Sequence, residues 1–281
     1  MTSQHNTAPT QFVEANGTRF AYRRFGNPGG TPIVLLQHFM GNLDNYDPAN
    51  TDALAMEREV ILTDNAGVGL STGKAPETVA GMGRDAASLI DALGLEQVDL
   101  FGFSMGGFVA QQIAFDRPEL VRRLMLVGTG PRGGDGMDQL APDVVPLFTT
   151  PLEPQDLMWL PIFFSPSEAS QAAGRRFLER IRARTEDRDA PVSEATVAAH
   201  SAAAREWGAP AAGSFDYLKG ITHPALVVNG SNDIVVPTIN SYILQQNLPN
   251  TELVLFPDSN HGSHFQFTEL FNRYVTDFVD R

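Results

Sequence analysis

QVDLFGFSMGGFVAQQI, residues 97–113, contains more structural information than any other stretch of the chain. Its first five residues form a short apolar run typical of a buried β-strand, and a pattern with helical spacing starts at Met105. Between the two lies GFSMGG, residues 102–107. In that position G-x-S-x-G predicts a sharp turn from strand into helix, with Ser104 at its apex in a strained backbone conformation.

A turn of this kind would present the Ser104 hydroxyl as a nucleophile. Glycines two positions to either side remove β-carbons that would otherwise collide across the turn. The hydroxyl then lies above the carboxyl edge of the sheet, at a helix N-terminus whose amides favour developing negative charge. A serine in a purely structural turn is the alternative, but the strand before it and the helix after it favour the nucleophile.

Seven further segments have the apolar, β-branched pattern of strands, and helical patterns fill most of the gaps between them. Asn16-Gly17, between the first two segments, is typical of a β-hairpin turn. Buried strands that alternate with helices predict an α/β fold, a mostly parallel eight-stranded sheet with helices on both faces. The seven segments are Phe12–Ala15, Thr18–Arg24, Pro32–Gln37, Glu59–Thr63, Leu124–Val127, Pro224–Val228 and Glu252–Phe256.

Four helices are predicted from periodicity and from cap and stop residues. One runs from a Thr78 cap to Gly94, and a second runs from Met105 to the residues before Arg117-Pro118. A third follows Pro237, and a fourth spans about Phe265 to Val279.

Residues 131–215 interrupt the alternation, because they contain several prolines and no strand-like run. Eighty-odd residues are too many for a loop between two strands, so we predict an inserted helical cap there. The predicted core domain then comprises residues 11–130 and 216–281. Residues 1–10 are polar, and we predict a flexible tail for them.

A serine hydroxyl needs a general base near neutral pH, and that base needs a group that orients it. His261 follows the last predicted strand by a few residues, which places it at the same sheet edge as Ser104. His264 is the rival base, but it lies on or near the final helix, so we favour His261. Asp233 follows another strand and would orient the imidazole; its alternative role is a carboxylate in an Asx-type turn. The chain order Ser104, Asp233, His261 favours the catalytic interpretation.

From about Phe12 to its end, the chain resembles the α/β-hydrolase superfamily. The resemblance rests on GFSMGG, on NGSNDIVVP at residues 229–237 and on NHG at residues 260–262, with a weaker match in DNAGVGLS at residues 64–71. It implies the fold, a Ser-His-Asp triad and a helical cap over the pocket. The similarity is to the branches that contain esterases, haloperoxidases and carbon–carbon-bond hydrolases.

One segment departs from the superfamily pattern. After the third strand the family commonly has His-Gly, whereas this chain has QHFMG at residues 37–41. The resemblance implies an oxyanion hole formed by the backbone amides of Phe39 and Met105, because a backbone amide serves whatever the side chain is. We interpret His38 as a structural histidine that bonds the loop.

These features predict a serine hydrolase that cleaves a carboxylic ester, or a related acyl bond, of a small and fairly apolar molecule through an acyl-enzyme intermediate. Cofactor-free perhydrolysis (haloperoxidase activity), lactone hydrolysis and C–C bond hydrolysis on the same triad remain alternatives. A ligand-binding receptor without turnover is the alternative from another class. Serine at the turn argues against dehalogenases and epoxide hydrolases of this fold, which have aspartate there.

The amino-acid composition limits the classes of molecule that the chain is expected to bind. A formal charge of −13 argues against nucleic acid, because phosphate binding needs a basic patch. The chain has no cysteine, which excludes disulfides and thiolate nucleophiles. We predict a small-molecule substrate, no cofactor, no metal and no membrane association. No secretory signal pattern is present at the start, so a cytoplasmic location is the expectation, with monomer and homodimer both open.

Overall fold

The computed structural model describes residues 4–281, in which eight strands form one sheet. Each strand overlaps a segment that the sequence predicts; seven agree to within two residues at both ends, and the sixth starts three residues earlier than predicted. Their bounds are β1 (Gln11–Ala15), β2 (Thr18–Gly26), β3 (Ile33–Leu36), β4 (Glu59–Thr63), β5 (Val98–Phe103), β6 (Val121–Val127), β7 (Ala225–Gly230) and β8 (Thr251–Phe256).

The strand order across the sheet is β1-β2-β4-β3-β5-β6-β7-β8. The pairs β1–β2 and β2–β4 are antiparallel, and all the others are parallel. The carboxyl ends of β3, β5, β7 and β8 therefore meet at one edge of the sheet. Asn16 and Gly17 join β1 to β2 with φ angles of 49° and 78°, as the hairpin prediction requires. The predicted fold class is confirmed.

Ten α-helices lie within residues 4–281. Their bounds are α1 (Pro48–Ala55), α2 (Val79–Ala92), α3 (Met105–Asp116), α4 (Val145–Thr149), α5 (Trp159–Phe163), α6 (Glu168–Ile181), α7 (Glu194–Gly208), α8 (Ile239–Asn247), α9 (Ser263–Gln266) and α10 (Thr268–Asp280). Helix α2 starts where predicted, since the Thr78 side chain accepts a hydrogen bond from the Gly81 amide.

Helices cover both faces of the sheet and divide the core into two apolar clusters. One cluster contains α2, α3 and the inner residues of β5 and β6, including Leu100 and Ile113. The other contains α10 and the aromatic residues of α5 and α6, including Phe163 and Phe177. Strands such as β5 and β7 are buried along their whole length, because both of their faces are covered.

Between β6 and β7 the chain forms helices α4 to α7 and no strand. That observation agrees with the predicted helical content of residues 131–215. Helix α5 contributes to the same apolar cluster as β5 and α10. The division into a core domain and a separate cap domain, with the predicted bounds, stays a prediction.

Three local features differ from the sequence predictions. Helix α1 was not predicted, because its run PANTDALA has little apolar periodicity. The predicted final helix is two helices, α9 and α10, with Phe267 between them at φ −113° and ψ 46°. Residues 4–10 differ from a flexible tail, since His5 is 2% exposed and its ring bonds Thr51 at 2.8 Å.

None of the helices within residues 4–281 is long and apolar enough to cross a membrane.

Candidate active site

Ser104 lies at the junction between β5 and α3 and is the only residue that separates them. Its backbone has φ 55° and ψ −119°, a strained conformation for a residue with a β-carbon. Two hydrogen bonds hold this conformation. The Ser104 amide donates to the Val127 carbonyl at 2.8 Å, and the Thr129 hydroxyl donates to the Ser104 carbonyl at 2.9 Å.

Glycines around Ser104 are required by close packing. A β-carbon on Gly102 would lie under 3.0 Å from the Gly106 carbonyl, on the opposite side of the turn. A β-carbon on Gly106 would collide with the Leu36 carbonyl, and one on Gly107 would collide with the Thr129 side chain. The turn therefore fits against the end of β3 only without these side chains.

His261 lies in the loop after β8, and its imidazole joins two of the predicted site residues. Its Nε2 is 2.9 Å from Ser104 Oγ, and its Nδ1 is 2.8 Å from Asp233 Oδ2. All three side chains are almost fully buried. With the ring proton on Nδ1, the imidazole donates to Asp233 and offers Nε2 as the acceptor for the serine proton.

Asp233 follows β7, and its carboxylate is fixed by the backbone that comes after it. Oδ1 accepts the amides of Val235 and Val236 at 2.9 and 3.0 Å, which leaves Oδ2 for His261. These are the bonds of an Asx-type turn, and the turn leaves Oδ2 available to His261. The structure thus brings together the three side chains that the sequence singled out.

Phe39 and Met105 line the same cavity as Ser104, and Met105 directly follows Ser104 in the chain. Within residues 4–281 neither amide donates to a protein acceptor. Met105 is the first residue of α3, where the helix leaves its amides free. Two free amides next to a buried hydroxyl can bind an oxyanion.

The loop that carries Phe39 is fixed by its neighbours. Gln37 accepts the His38 amide at 2.9 Å and donates to the Asn42 carbonyl at 2.9 Å. His38 bonds the Phe39 carbonyl through Nδ1 at 2.8 Å, as expected for a structural histidine that bonds the loop. Met40 turns the chain with φ 61°.

A cavity of about 660 Å³ opens next to Ser104, a volume in the range of small-molecule sites. Its walls are mainly aliphatic and aromatic, and its charged residues, Asp138 and Arg205, are exposed. Helix α7 and the chain between β6 and α4 supply much of the wall. The apolar lining residues are Phe39, Met105, Phe108, Met137, Leu140, Val145, Phe148, Ala204, Val235 and Val236.

Three further histidines lie near the site without bonding Ser104. Burial lowers the pKa of His38 to about 3 and that of His200 to about 4. Burial, together with the neighbouring His261 and His38, lowers the pKa of His264 well below its usual value. All three are therefore neutral at neutral pH. His264 packs on Phe103 with ring centroids 4.4 Å apart, so the geometry favours His261 over this rival base.

Sequence reasoning did not identify Thr129 or the cavity walls. Thr129 comes two residues after β6, in a position without a recognisable motif. Met137, Leu140 and Phe148 lie in the segment between β6 and α5, where no periodicity indicates which side chains face the cavity. Local patterns carry no information on these contacts, because they form between segments distant in the chain.

Neither the cavity nor its surroundings offers a ligand set for a metal ion. Within residues 4–281 no group of three or more His, Asp and Glu side chains is arranged to hold one.

Comparisons with known proteins agree with this geometry. A family model described as alpha/beta hydrolase fold matches residues 31–268. A solved structure, an alpha/beta hydrolase fold protein from Chitinophaga pinensis, is 41% identical, with a TM-score of 0.92 and 99% of each chain covered. A poly(3-hydroxyalkanoate) depolymerase from Ectopseudomonas oleovorans is 28% identical over 242 residues, 84% of this chain and 80% of that protein. A putative carbamate hydrolase, RutD, from Klebsiella pneumoniae strain 342 is 26% identical over 260 residues, 88% of this chain and 91% of that protein.

Proposed function

Since the chain belongs to the alpha/beta hydrolase fold family, we propose that it is a serine hydrolase with Ser104 as nucleophile, His261 as general base and Asp233 as the residue that orients the base. Its substrate is a small, fairly apolar molecule with a carboxylic ester or a related acyl bond. The observation that carries the proposal is the continuous hydrogen-bonded chain from Asp233 through His261 to Ser104, beside an apolar cavity.

Acylation follows from the positions of the atoms. Ser104 Oγ attacks the acyl carbon while its proton passes to His261 Nε2, 2.9 Å away. Asp233 stabilises the imidazolium that forms. The negative charge that develops on the acyl oxygen is bound by the Phe39 and Met105 amides. His261 then donates its proton to the leaving alcohol, the C–O bond breaks, and the acyl group remains on Ser104.

Deacylation repeats the same proton transfers with water. His261 takes a proton from the water that attacks the acyl-enzyme, and a second tetrahedral oxyanion forms in the same place. The bond between the acyl carbon and Ser104 Oγ breaks, and the proton returns from His261 to the serine. The acid leaves and the starting state is restored.

The lining of the cavity supports the proposal that the substrate carries an apolar group. Its lining is mostly Phe, Met, Val and Leu side chains, and such a surface binds an alkyl or aryl group by removing apolar area from water. Its volume of about 660 Å³ accommodates a group considerably larger than acetyl. We therefore expect medium-length acyl chains to be better substrates than acetyl.

The test is turnover of a chromogenic ester panel, acetyl through decanoyl, together with a panel of lactones, by the wild type and by Ser104→Ala. We expect wild-type turnover with a maximum above acetyl. In Ser104→Ala, kcat should fall by roughly 10⁵-fold or more, to background. Ser88→Ala, on the outer part of helix α2, is the matched control and should keep full activity.

Two results would contradict the proposal. Activity that persists in Ser104→Ala would remove the serine from the mechanism. A wild type that turns over no ester and no lactone, but binds one of them stoichiometrically, would favour a receptor.

A further inference from the structure

The loops that carry Asp233 and His261 lie directly against each other. The Asn232 amide donates to the Ser259 carbonyl at 3.0 Å. At Gly230 the two backbones approach so closely that a β-carbon would lie under 3.0 Å from the Asn260 and Ser259 carbonyls. Any shift between these loops therefore changes the separation between Asp233 and His261.

One side chain links these loops to each other and to helix α5. Asn260 is 4% exposed, and its Oδ1 accepts the Ile234 amide at 2.8 Å. Its Nδ2 donates to the Pro161 carbonyl at 3.3 Å. Ile234 follows Asp233 directly, and Asn260 directly precedes His261. The carboxamide thus joins the neighbour of the proposed acid to the neighbour of the proposed base.

Helix α5 contacts the His261 loop at two further points. The Gly262 amide donates to the Phe163 carbonyl at 2.9 Å. The Phe163 ring lies 6.0 Å from the His261 ring, centroid to centroid. The His261 loop is therefore held between the Asp233 loop on one side and α5 on the other, and Asn260 bonds both sides.

We propose that Asn260 is a positioning residue, which holds His261 at hydrogen-bonding distance from Asp233 by fixing the two loops to each other and to helix α5. This inference rests on the proposed function, because it assigns Asn260 a role in that reaction. Asn260 does not touch the substrate cavity, so its loss should change the reactivity of Ser104 and leave substrate binding almost unchanged.

The hydrogen-bond geometry explains why an amide is needed at this position. Oδ1 is the acceptor of the Ile234 amide, a donor that would otherwise be left unpaired in a largely buried loop. Nδ2 supplies the donor for Pro161. An aspartate would keep the first bond and lose the second, and a leucine of similar shape would lose both. The two variants therefore separate the contributions of the two bonds.

The experiment measures the rate at which a fluorophosphonate reacts with Ser104, together with kcat and KM for the best ester, in wild type, Asn260→Leu and Asn260→Asp. We expect Asn260→Leu to react about 10- to 100-fold more slowly and to lose kcat by a similar factor, with KM within about twofold, because a small misplacement of a base is costly. Asn260→Asp should keep most of the rate.

A matched control separates positioning from a general loss of stability. Asn272 is a half-buried asparagine on α10 whose Nδ2 donates to the Ala49 carbonyl at 3.0 Å, far from Ser104 in the chain and in the sheet. Asn272→Leu should lower the melting temperature and leave the fluorophosphonate rate unchanged. Asn260→Leu should lower both the melting temperature and the fluorophosphonate rate.

Proton NMR provides a readout that needs no substrate and applies to Asn260→Asp if Asn260→Leu does not fold. The Nδ1–H proton of His261, bonded to Asp233, gives a strongly downfield resonance whose position depends on the length of that bond. We expect it to shift upfield or broaden in the Asn260 variants and to stay unchanged in Asn272→Leu.

The inference is overturned if Asn260→Leu reacts as fast as the wild type, or if the resonance is the same in all variants. A wild type whose Ser104 does not react with the fluorophosphonate contradicts the proposed function instead, and the NMR comparison still tests the role of Asn260.

Discussion

At the scale of single residues, the strained serine depends on the absence of three neighbouring β-carbons. Gly106 illustrates this best, because the position of its missing β-carbon is filled by the Leu36 and Gln37 carbonyls. These carbonyls begin the loop that carries the Phe39 amide. The same glycine thus permits the turn at Ser104 and the close approach of the proposed oxyanion donor.

Gly106→Ala should therefore impair catalysis more than its cost in stability suggests. We expect kcat to fall by about 10²- to 10³-fold, the usual cost of losing one oxyanion donor. Overpacking should lower the free energy of unfolding by about 1–3 kcal/mol. Ester kinetics and urea unfolding measure the two effects.

Gly94→Ala is the control for this prediction. Gly94 has φ 73°, but nothing lies within 4 Å of the position of its β-carbon. The substitution should cost about 1 kcal/mol of backbone strain and leave kcat unchanged. Equal kcat values for the two variants would show that the contact of Gly106 with the Phe39 loop is irrelevant to activity.

The residues of the candidate site divide into those that a sequence can reveal and those that it cannot. Ser104 and Asp233 each follow a buried strand closely, and His261 follows the last strand, β8. The carboxyl ends of these parallel strands meet at one edge, so the proximity of the three residues could be predicted. The Asn260 and Thr129 side chains form hydrogen bonds to backbone atoms distant in the chain. No local pattern specifies such bonds, and only the folded arrangement reveals them.

At the scale of secondary structure, apolar runs and caps predicted all eight strands and helices α2 and α3 to within about three residues. Strand β5 is buried on both faces and helix α2 on one face, so their patterns are strong. Helix α1 has no such pattern. Its start depends on Asp47, which caps the Ala49 amide and is bonded by Arg180 from α6. Sequence periodicity does not predict a contact between residues so far apart in the chain.

The loop between β3 and α1 yields a second prediction, because the proposal uses the backbone of Phe39 and not its ring. The ring packs edge-to-face on Phe148 at 5.9 Å in the cavity wall. Phe39→Ala keeps the amide and enlarges the cavity, so kcat for short esters should stay within about fivefold while the preferred acyl chain lengthens.

Phe39→Pro is the complementary variant. Proline has no amide proton, so this variant should lose about 10²-fold or more in kcat for every ester of the panel. If Phe39→Ala loses activity on all esters as severely as Phe39→Pro does, the ring is required and the amide is not the relevant group.

Two carboxyl groups from distant segments lie close together beside Gly69. Asp64 follows β4, and Asp189 lies between α6 and α7. Both would lie under 3.0 Å from a β-carbon on Gly69, and among the described residues, 4–281, neither Asp64 Oδ2 nor the Asp189 oxygens have a donor. Burial, and then each carboxylate's acidic neighbours, raise both pKa values, that of Asp189 to about 6. A single proton shared by the two carboxyl groups would give each of them a hydrogen-bond partner.

A raised carboxyl pKa in the folded state means that the folded protein binds the proton more tightly than the unfolded chain does. The stability that this proton supplies is present below pH 4 and is lost as the pH rises through about 6. Asp189→Asn removes the titration. The variant should gain stability relative to the wild type between pH 4 and pH 7, on the order of 2 kcal/mol.

Urea unfolding at pH 4.5 and at pH 7.5 measures this gain. The charged groups around the pair, Asp44, Arg23 and Arg188, are present in both proteins, and the loss of their interactions with the Asp189 carboxylate is part of the measured difference. The control is Asp216→Asn, which replaces an exposed aspartate paired with Lys219. Its unfolding free energy relative to the wild type should change by less than about 0.5 kcal/mol between the two pH values. A pH-independent effect of Asp189→Asn would contradict the shared proton.

At the scale of the whole molecule, the segment between α6 and α7 is anchored to the N-terminal part of the chain. Arg184, 6% exposed, donates to the Ala8 carbonyl at 2.9 Å and to the Asn6 carbonyl at 3.2 Å. The His5 amide donates to Asp52 of α1 at 2.7 Å. Residues 4–10 therefore bridge α1 and the segment after α6, two parts of the chain more than 100 residues apart.

Deleting residues 1–9 should accordingly destabilise the protein without changing its chemistry. The deletion leaves the buried guanidinium of Arg184 without its carbonyl acceptors, which costs about 3 kcal/mol of unfolding free energy. None of residues 4–9 lines the cavity, so kcat should stay within about twofold. The decisive comparison is a double-mutant cycle with Arg184→Met. If the bridge exists, Arg184→Met should cost about 1–2 kcal/mol less in the shortened chain than in the full one, because the partners of the guanidinium are already gone. Additive costs would mean that the two segments are stabilised independently, and the contacts of Arg184 would then contribute nothing to joining them.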